Sequence, residues 1–257
     1  MSKTDLKKYG FIKKYFSMPN IPSNQKIGRV ISRHNENYNI ITEIGEISAT
    51  LSENFKLETK SLDKYPVAGD FVVVELEQGG FNSTIKKLLK RRNALVRKGQ
   101  WDVNYDHVVA SNIDTIFICI SLNNDYNIEK VNAYISISEK LNAESVLVLT
   151  ECDSFNNIDN ILSEVKSLAN GMEVIVTSGM NSDGCKSIKN YIKEGNTVVF
   201  IGPEHDKAKI VNRLLGNVTF NNDLILLPSG GVLINTPEMR ELGIKSINIT
   251  KKFADLR

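Results

Sequence analysis

Residues 198–216 carry, in order, the three features that hold nucleotide phosphates in many proteins: an apolar strand, a glycine turn and a lysine. The apolar run Val198–Ile201 predicts the strand, Gly202 follows it, and a helix is expected from about Lys207. The complete motif reads G-x-x-x-x-G-K-[ST]. Here Asp206-Lys207-Ala208 stands where Gly-Lys-Ser is expected, one residue early, without the second glycine or the hydroxyl. The segment has the layout of a phosphate loop and lacks part of its chemistry.

Polar residues also follow three other apolar runs. Thr150-Glu151-Cys152-Asp153 comes after Ser145–Leu149, and Thr177-Ser178-Gly179 comes after Glu173–Val176. Asn235-Thr236-Pro237-Glu238 comes after Val232–Ile234. Ligands of open α/β sheets bind beyond the carboxyl ends of the strands. These segments and the phosphate-type loop are therefore predicted to meet at one edge of a sheet.

The elements that position these segments form two regions. Alternating apolar residues and turn-rich breaks in residues 26–89 predict a small antiparallel barrel of the OB type, a frequent nucleic-acid-binding module. From about Asp114 continuous apolar strands alternate with helical stretches, which predicts a doubly wound parallel sheet. The expected fold class is α/β with an all-β N-terminal domain. The predicted boundaries are a lead-in at 1–25, the barrel at 26–92, a linker at 93–113, the sheet domain at 114–249 and a tail at 250–257.

The finer pattern gives individual elements. Alternation predicts barrel strands at Gly28–Ile31, Tyr38–Thr42, Ile47–Leu51 and Phe71–Leu76. Helical patterning predicts helices at Ile128–Leu141, Ile158–Ala169 and Ser187–Glu194, with a short helix within residues 1–25. Leu224–Leu227 and Val232–Ile234 are expected to form a hairpin around Pro228-Ser229-Gly230-Gly231.

Composition excludes several classes of protein. The chain has 257 residues and a formal net charge of +2, which is ordinary globular composition. No apolar run approaches the roughly 20 residues needed to span a bilayer, and the basic N-terminus lacks the apolar core of a signal peptide. A cytoplasmic location is therefore expected. The three cysteines and three histidines are scattered, so neither a disulfide framework nor a zinc site is indicated.

The order of the motifs carries a resemblance to a known family. In ordinary GTPases the phosphate loop precedes the guanine-reading N/T-K-x-D motif, whereas here Thr150–Asp153 precedes Gly202–Ala208. With an OB-like barrel in front, the chain resembles the circularly permuted ribosome small-subunit-dependent GTPases, the RsgA/YjeQ/EngC family. The resemblance covers about residues 26–254 and includes three further matching stretches: Tyr65–Asp70, Ala110–Ile118 and Leu226–Leu242.

The resemblance implies a set of nucleotide-binding remnants. Asp153 matches the aspartate that pairs with the guanine base, and Thr150 is an acceptable first residue of that motif. Lys207 matches the phosphate lysine, with Lys209 as the alternative in another register. The full set is Thr150, Asp153, Ser178, Gly202, Lys207 and Thr236.

The chain departs from the family at the residues that hold the base, the magnesium ion and the terminal phosphate. Glu151 replaces the lysine that packs over the base, and Ala208 replaces the magnesium-binding hydroxyl. Asn235 replaces the aspartate that orients magnesium, and Glu238 replaces a glycine that meets the terminal phosphate. Only Gly216–Asp223 fills the place of the switch loop, with Thr219 as its one threonine. A divergent family member with degenerate nucleotide motifs is expected.

Several functional expectations follow from these departures. No catalytic residue and no cofactor is expected, and GTP or GDP with Mg²⁺ would bind only if activity is retained. Phe253-Ala254-Asp255 resembles the segment before the family's Cys/His zinc subdomain and the sequence ends shortly after it, so no metal site is expected. The favoured interpretation is a protein that binds the small ribosomal subunit or rRNA with little or no GTP hydrolysis. The alternatives are a ribosome-stimulated GTPase of small-subunit maturation and a protein-interaction scaffold without an RNA role.

A dense cationic run closes the barrel region. Residues 86–98 contain seven lysines and arginines and no acidic residue. Such a run beside an OB-type barrel is typical of a surface that contacts nucleic-acid phosphates, with Phe81 or Trp101 available to stack on bases. The alternative is a solvated face whose Leu88, Leu89 and Leu95 pack inward. The predicted RNA-binding residues are Lys86, Lys87, Lys90, Arg91, Arg92, Arg97 and Lys98; neither a membrane nor DNA is expected as a partner.

Overall fold

The structure of the protein is a computed structural model. It describes residues 4–12, 21–59, 61–77, 83–98, 106–122, 126–152, 158–177, 182–202, 204–216 and 223–235. Within these ranges, no helix has both the length and the apolar character needed to cross a membrane.

Five strands near the N-terminus close into a barrel. They are β1 (Gln25–His34), β2 (Asn37–Thr42), β3 (Gly45–Leu51), β4 (Phe71–Glu75) and β5 (Ser83–Leu88). The strand order is β1-β2-β3-β5-β4, with β4 pairing back onto β1. Strand β3 runs parallel to β5, and the other neighbours are antiparallel. The predicted OB-like barrel is confirmed, and β1 is longer than its apolar pattern indicated.

Alternating side chains fill the barrel. Tyr38 and Ile40 of β2 and Val72 and Val74 of β4 are fully buried in one cluster inside it. Helix α1 (Glu53–Glu58) follows β3 and inserts Phe55 into the same cluster. The Ser52 hydroxyl accepts a hydrogen bond from the Phe55 N–H at 3.3 Å and so caps the start of the helix.

The segment predicted as a linker contains regular structure. Strands β6 (Ala94–Lys98) and β7 (Asp106–Ser111) form a two-stranded antiparallel sheet. Leu95 and Ala110 face each other across it, and both are buried in the core that it shares with the larger sheet. This hairpin packs against the barrel and the sheet domain and is not a free connection between them.

The second region is a six-stranded sheet. Its strands are β8 (Thr115–Ser121), β9 (Glu144–Thr150), β10 (Glu173–Val176), β11 (Thr197–Ile201), β12 (Leu224–Leu226) and β13 (Val232–Ile234). Their order is β10-β9-β8-β11-β13-β12, and all neighbours are parallel except the β12–β13 hairpin. The parallel sheet and its closing hairpin are both confirmed.

Helices cover both faces of this sheet, which makes it doubly wound. Helices α2 (Ile128–Glu139) and α3 (Ile158–Leu168) pack on the face that carries Ile118 and Leu149. Helices α4 (Ser182–Lys189) and α5 (Glu204–Leu215) pack on the opposite face, which carries Phe117 and Phe200. Because helices bury each strand on both faces, the strand sequences are apolar without interruption.

The predicted helix at Ser187–Glu194 is wrong in position. Helix α4 ends at Lys189, and residues 190 and 191 form a turn. The helix begins before Gly184, which resembles a loop residue in the sequence, and it is held in place by Cys185 and Ile188, both buried. Helix α5 likewise begins at Glu204, three residues before the predicted start.

One arginine ties the barrel to the sheet. The guanidinium of Arg29, on β1, is fully buried and donates to the carbonyls of Gly69 and Tyr9 and to the Thr197 hydroxyl on β11. Its charge also lies over the Phe71 ring, 4.9 Å from the centroid. Burial lowers the pKa of Arg29 to about 9, although the charges of Asp114 and Asp70 oppose that shift. Arg29 therefore joins the N-terminal 3-10 helix (Leu6–Tyr9), the barrel and the sheet.

Candidate functional site

The polar segments predicted from the sequence begin at one edge of the large sheet. Thr150 ends β9, Gly202 follows β11 and Asn235 follows β13, all at the carboxyl ends of parallel strands. Strand β8 lies between β9 and β11, which separates Thr150 from Gly202 by two strand spacings, or about 10 Å. Thr150 is buried, and its hydroxyl donates to the Ile120 carbonyl at 3.4 Å. The edge has the geometry of a ligand site in an open α/β sheet.

A carboxylate is fixed at the centre of this edge. Glu151 adopts a left-handed backbone conformation with φ of 58°, and its Oε2 accepts a hydrogen bond from the Ser121 hydroxyl at 2.6 Å. Ser121 ends β8 and pairs with Thr150, so the hydrogen bond spans the ends of β8 and β9. Sequence reasoning identified Glu151 as a departure but missed Ser121, which has no motif of its own. A fixed negative charge at this edge disfavours anionic ligands.

Gly202 makes a close contact with the neighbouring strand. Its φ is 135°, and a Cβ at this position would lie 2.2 Å from the Cys119 carbonyl oxygen on β8. No side chain fits at that distance, so the turn after β11 needs glycine for packing alone. The presence of glycine at position 202 is therefore explained by packing and is not evidence that a phosphate binds at the turn.

The start of α5 lacks an oxygen ligand at the position where the motif has one. Lys207 lies in the first turn, and its side chain is only 3% exposed. Ala208 is next to it and half-buried, with a methyl group in place of the hydroxyl that would meet magnesium. Across the described ranges, no three His, Cys, Asp or Glu side chains are grouped so that they could hold a metal ion. Of the side chains described at this loop, those of Lys207 and Ala208 offer no oxygen to a magnesium ion.

Part of the predicted nucleotide set lies outside the described residues. This applies to Asp153, Ser178 and Thr236, and also to Glu238 and Thr219. Of the six predicted remnants, the structure therefore places Thr150, Gly202 and Lys207, which lie at the carboxyl-end edge or directly after it.

The cationic run is partly neutralised within the fold. Arg91 binds Asp70 with both ends of its guanidinium, Nε to Oδ1 at 2.8 Å and Nη2 to Oδ2 at 2.7 Å, and also donates to the Tyr65 carbonyl. Asp70 is completely buried and accepts from the Ser111 hydroxyl as well. Arg92 pairs with Asp114 at 2.7 Å, and Lys86 pairs with Glu75 at 2.6 Å. The Ser111–Asp70 contact joins the barrel to β7 and the Arg92–Asp114 pair joins it to the start of the large sheet, whereas Lys86–Glu75 lies within the barrel.

Two lysines of the run remain fully directed to solvent. Lys87 on β5 and Lys90 just after it are exposed, and neither forms a salt bridge with any described residue. Leu89 and Leu95 are buried and Leu88 is half-buried, which agrees with the alternative of a solvated face whose leucines pack inward. Arg97 and Lys98 lie at the end of β6, and for these two residues only the backbone is described. Phe81 and Trp101 are outside the described residues.

The junction between β12 and the barrel contains one perturbed carboxylate. Asp223 precedes β12 and lies beside the end of β1. Partial removal from water raises the pKa of Asp223, while the main-chain N–H of Arg33 and the charge of His34 act in the opposite direction. The Asp223 carbonyl also accepts from the Asn235 N–H at 2.7 Å, which fixes the end of β13.

Comparison with known proteins agrees with this architecture. A solved YjeQ from Thermotoga maritima superposes with a TM-score of 0.67 at 20% identity, covering 86% of this chain and 77% of that one. YloQ, described as a circularly permuted GTPase, superposes with a TM-score of 0.64 at 18% identity, covering 90% of this chain and 77% of that one. At this level of identity, the two structures establish the fold.

Sequence comparison identifies the family. The small ribosomal subunit biogenesis GTPase RsgA 2 of Lactiplantibacillus plantarum is 31% identical over 250 residues, covering 90% of this chain and 70% of that protein. The protein of the same name from Vibrio parahaemolyticus is 28% identical, covering 91% of this chain and 67% of that one. The family model described as RsgA GTPase matches residues 88–221, which is more than half of the chain. The chain therefore belongs to the RsgA GTPase family.

Proposed function

We propose that this protein binds the small ribosomal subunit, through its rRNA, and has little or no GTP hydrolysis. The names of its relatives refer to biogenesis of the small subunit. The OB-like barrel supplies a fold that often binds nucleic acid, and Lys87 and Lys90 supply exposed charge on it. Such a partner implies a cytoplasmic location.

The observation that carries the loss of hydrolysis is the Ser121–Glu151 hydrogen bond. It holds a carboxylate at the ligand edge, at the position where the family has a cationic lysine. A like charge about 10 Å away, the separation of Thr150 and Gly202 across the edge, costs roughly 1.7 kcal/mol at an effective dielectric near 20, or somewhat more than tenfold in affinity. Catalysis of phosphoryl transfer depends on positioning the phosphate and on stabilising its negative charge in the transition state. A carboxylate at this edge opposes that stabilisation.

The remaining nucleotide motifs support the same proposal. Gly202 is required by its contact with Cys119, and Ala208 offers no oxygen to a magnesium ion. We infer that the six residues predicted to bind nucleotide are inherited from a GTP-binding ancestor and act as scaffold. The alternative in the same family is a GTPase that the ribosome stimulates, for which Thr150 and Lys207 would still be nucleotide ligands.

A titration with fluorescent GTP separates these two proposals. We expect no saturable binding at micromolar protein, with or without Mg²⁺. If that charge is the obstacle, Glu151→Lys removes it and should bind fluorescent GTP at least about tenfold more tightly than the lower limit that the wild type sets for the dissociation constant. Micromolar, Mg²⁺-dependent binding by the wild-type protein would overturn the proposed loss of activity.

Cosedimentation with purified small subunits tests the RNA-binding part. We expect association at low salt that weakens as salt rises. The double variant Lys87→Ala/Lys90→Ala should flatten the slope of log affinity against log salt by about 1.5 to 2, since each lost phosphate contact contributes just under one unit. Lys140→Ala/Lys166→Ala removes the same charge from exposed positions on the sheet domain and serves as the matched control.

Two results would contradict this part of the proposal. A complete lack of association at low salt would favour a protein-interaction scaffold without an RNA role. Equal slopes for the barrel variant and its control would place the RNA contact away from Lys87 and Lys90.

A further inference from the structure

Strand β10 forms one edge of the large sheet. Among the described residues it pairs with β9 alone, from Glu173 opposite Val146 to Val176 opposite Leu149. The Thr177 N–H donates to the Leu149 carbonyl at 2.8 Å, so residues of the same parity direct their backbone groups toward β9. Val174 and Val176 therefore direct their N–H and C=O groups outward, where a further strand could pair with them.

A cleft of about 510 Å³ lies along this edge. All four residues of β10 line it on one side, and the end of α4 and the turn after it line the other through Ser187, Asn190 and Tyr191. Ile175 packs on the α4 side of the sheet and Val174 on the opposite side, so by alternation the Val176 side chain, 39% exposed, also points away from α4. The cleft therefore offers the outward backbone groups of β10 beside polar and charged side chains.

The cleft is negatively charged at the amino-terminal ends of the strands. Glu144 begins β9 and Glu173 begins β10, and both line the cleft on the same face of the sheet. Neither carboxylate forms a salt bridge with a described residue, and the Glu144 carboxylate accepts only a long hydrogen bond of 3.4 Å from the Thr115 hydroxyl among the contacts described. Lys193 is the one cation in the lining, which leaves a formal charge of −1.

Tyr191 lines the same cleft as the two carboxylates. The Tyr191 ring is held edge-on against Phe117, with centroids 6.0 Å apart. Burial raises the pKa of the Tyr191 phenol, and the charges of Glu173 and Glu144 raise it further. Tyr191, Glu144 and Glu173 all line the cleft, and the two glutamates begin neighbouring strands.

We propose that this cleft docks an extended basic peptide of a partner protein, which adds to β10 as a further strand. Backbone groups of Val174 and Val176 would hold the peptide, and Glu144 and Glu173 would receive a lysine or arginine. A basic peptide is the occupant that the lining favours, because the two glutamates and one lysine leave it a formal charge of −1. Glu144 and Glu173 lie at the end of the strands opposite to Gly202, so the proposal does not rest on the proposed function.

The test uses a fluorescein-labelled octapeptide of alternating lysine and valine, with an alternating glutamate and valine peptide as the comparison. Fluorescence anisotropy should show saturable binding of the lysine peptide and roughly tenfold weaker binding to Glu144→Gln/Glu173→Gln. Val176→Pro removes one outward N–H and should weaken binding by a similar factor, whereas Val176→Thr keeps the N–H and should not. Circular dichroism checks that each variant remains folded.

Three outcomes would overturn the proposal. These are equal binding of the two peptides, unchanged binding to the glutamine double variant, and equal binding to Val176→Pro and Val176→Thr. Self-association of the wild-type protein in sedimentation velocity that Val176→Pro abolishes would assign the edge to a second copy of the chain. If Val176→Pro does not fold, the glutamine double variant alone decides.

Discussion

Glycine at position 202 is the residue where the distinction between a ligand-binding motif and a packing requirement is sharpest. Its backbone is in a region that side chains avoid, and the Cys119 carbonyl oxygen leaves no space for a Cβ. The phosphate-loop pattern predicts a glycine here, and the contact with β8 requires one for a different reason. Sequence alone could not separate the two causes, because the contact joins strands 83 positions apart.

Replacing this glycine should cost stability, and the structure offers a matched control. Gly202→Ala combines an unfavourable backbone conformation with a clash against backbone, so we expect a loss of about 2 to 4 kcal/mol in the free energy of unfolding. Gly216→Ala has a positive φ of 61° and open space around it, so about 1 kcal/mol is expected. Urea denaturation measures both. Equal losses for the two variants would show that the contact with Cys119 adds nothing to the cost of replacing Gly202.

Asp223 gives stability a dependence on pH. Its pKa is raised in the folded protein, so the folded state holds this proton more tightly than the unfolded state. Stability therefore falls as pH rises from the ordinary aspartate range through the raised pKa. We expect Asp223→Asn to be more stable relative to wild type at pH 7 than near pH 3.5, measured by urea denaturation at each pH. A constant difference between the two proteins would contradict this assignment.

At the scale of elements, the cationic run separates into structural and exposed residues. Arg91 and Arg92 are positioned by Asp70 and Asp114, which lie 21 and 22 residues away in sequence and meet them only after the barrel closes. The sequence could predict the density of charge but not its neutralisation, since no local pattern pairs these residues. The same limit applies to α4, whose true start depends on the burial of Cys185 and on the packing of Ile188 in the core beside the sheet.

Adjacent residues of this run should behave in opposite ways. Arg91→Ala leaves the buried Asp70 carboxylate without its ion pair and should destabilise the protein by about 3 to 5 kcal/mol. Lys90→Ala should change stability by less than about 0.5 kcal/mol, because the side chain is exposed and forms no described salt bridge. Urea denaturation gives both values, and small-subunit cosedimentation should show the larger change for Lys90. A mild effect of Arg91→Ala would show that Ser111 and Val67 satisfy Asp70 without it.

At the scale of the whole molecule, the barrel and the sheet share one core. Ile31, Ile41 and Ala68 of the barrel region belong to the same buried cluster as Ile118 and Leu149 of the sheet. The order of the two folds and the class of each could be predicted from periodicity, because each buries its own pattern. The docking of the two regions could not be predicted, because it depends on Arg29. Periodicity predicts the strand that carries Arg29 but gives no indication of the residues that its side chain binds.

Removal of Arg29 should loosen this docking. Arg29→Met removes the donor to the Tyr9 carbonyl and to the Thr197 hydroxyl, while the Gly69 carbonyl keeps the Asn112 amide as a donor, and should cost about 3 kcal/mol in the free energy of unfolding. Arg33→Met on the same strand changes an exposed side chain and should cost less than about 1 kcal/mol. Chemical denaturation and limited proteolysis of the junction measure the difference. Similar values for the two variants would show that the shared apolar cluster alone holds the regions together.

The hydrogen bond between Arg29 and Thr197 also has a consequence for synthesis of the chain. The two residues are 168 positions apart, so a ribosome adding about 5 to 20 residues per second delivers Thr197 roughly 8 to 34 seconds after Arg29. Once β5 is complete at Leu88, a closed barrel presents a cation whose hydroxyl partner has not yet been made. Until β11 emerges, water must take the place of the Thr197 hydroxyl at Nη2, so the burial of Arg29 is completed only when the sheet forms beside the barrel.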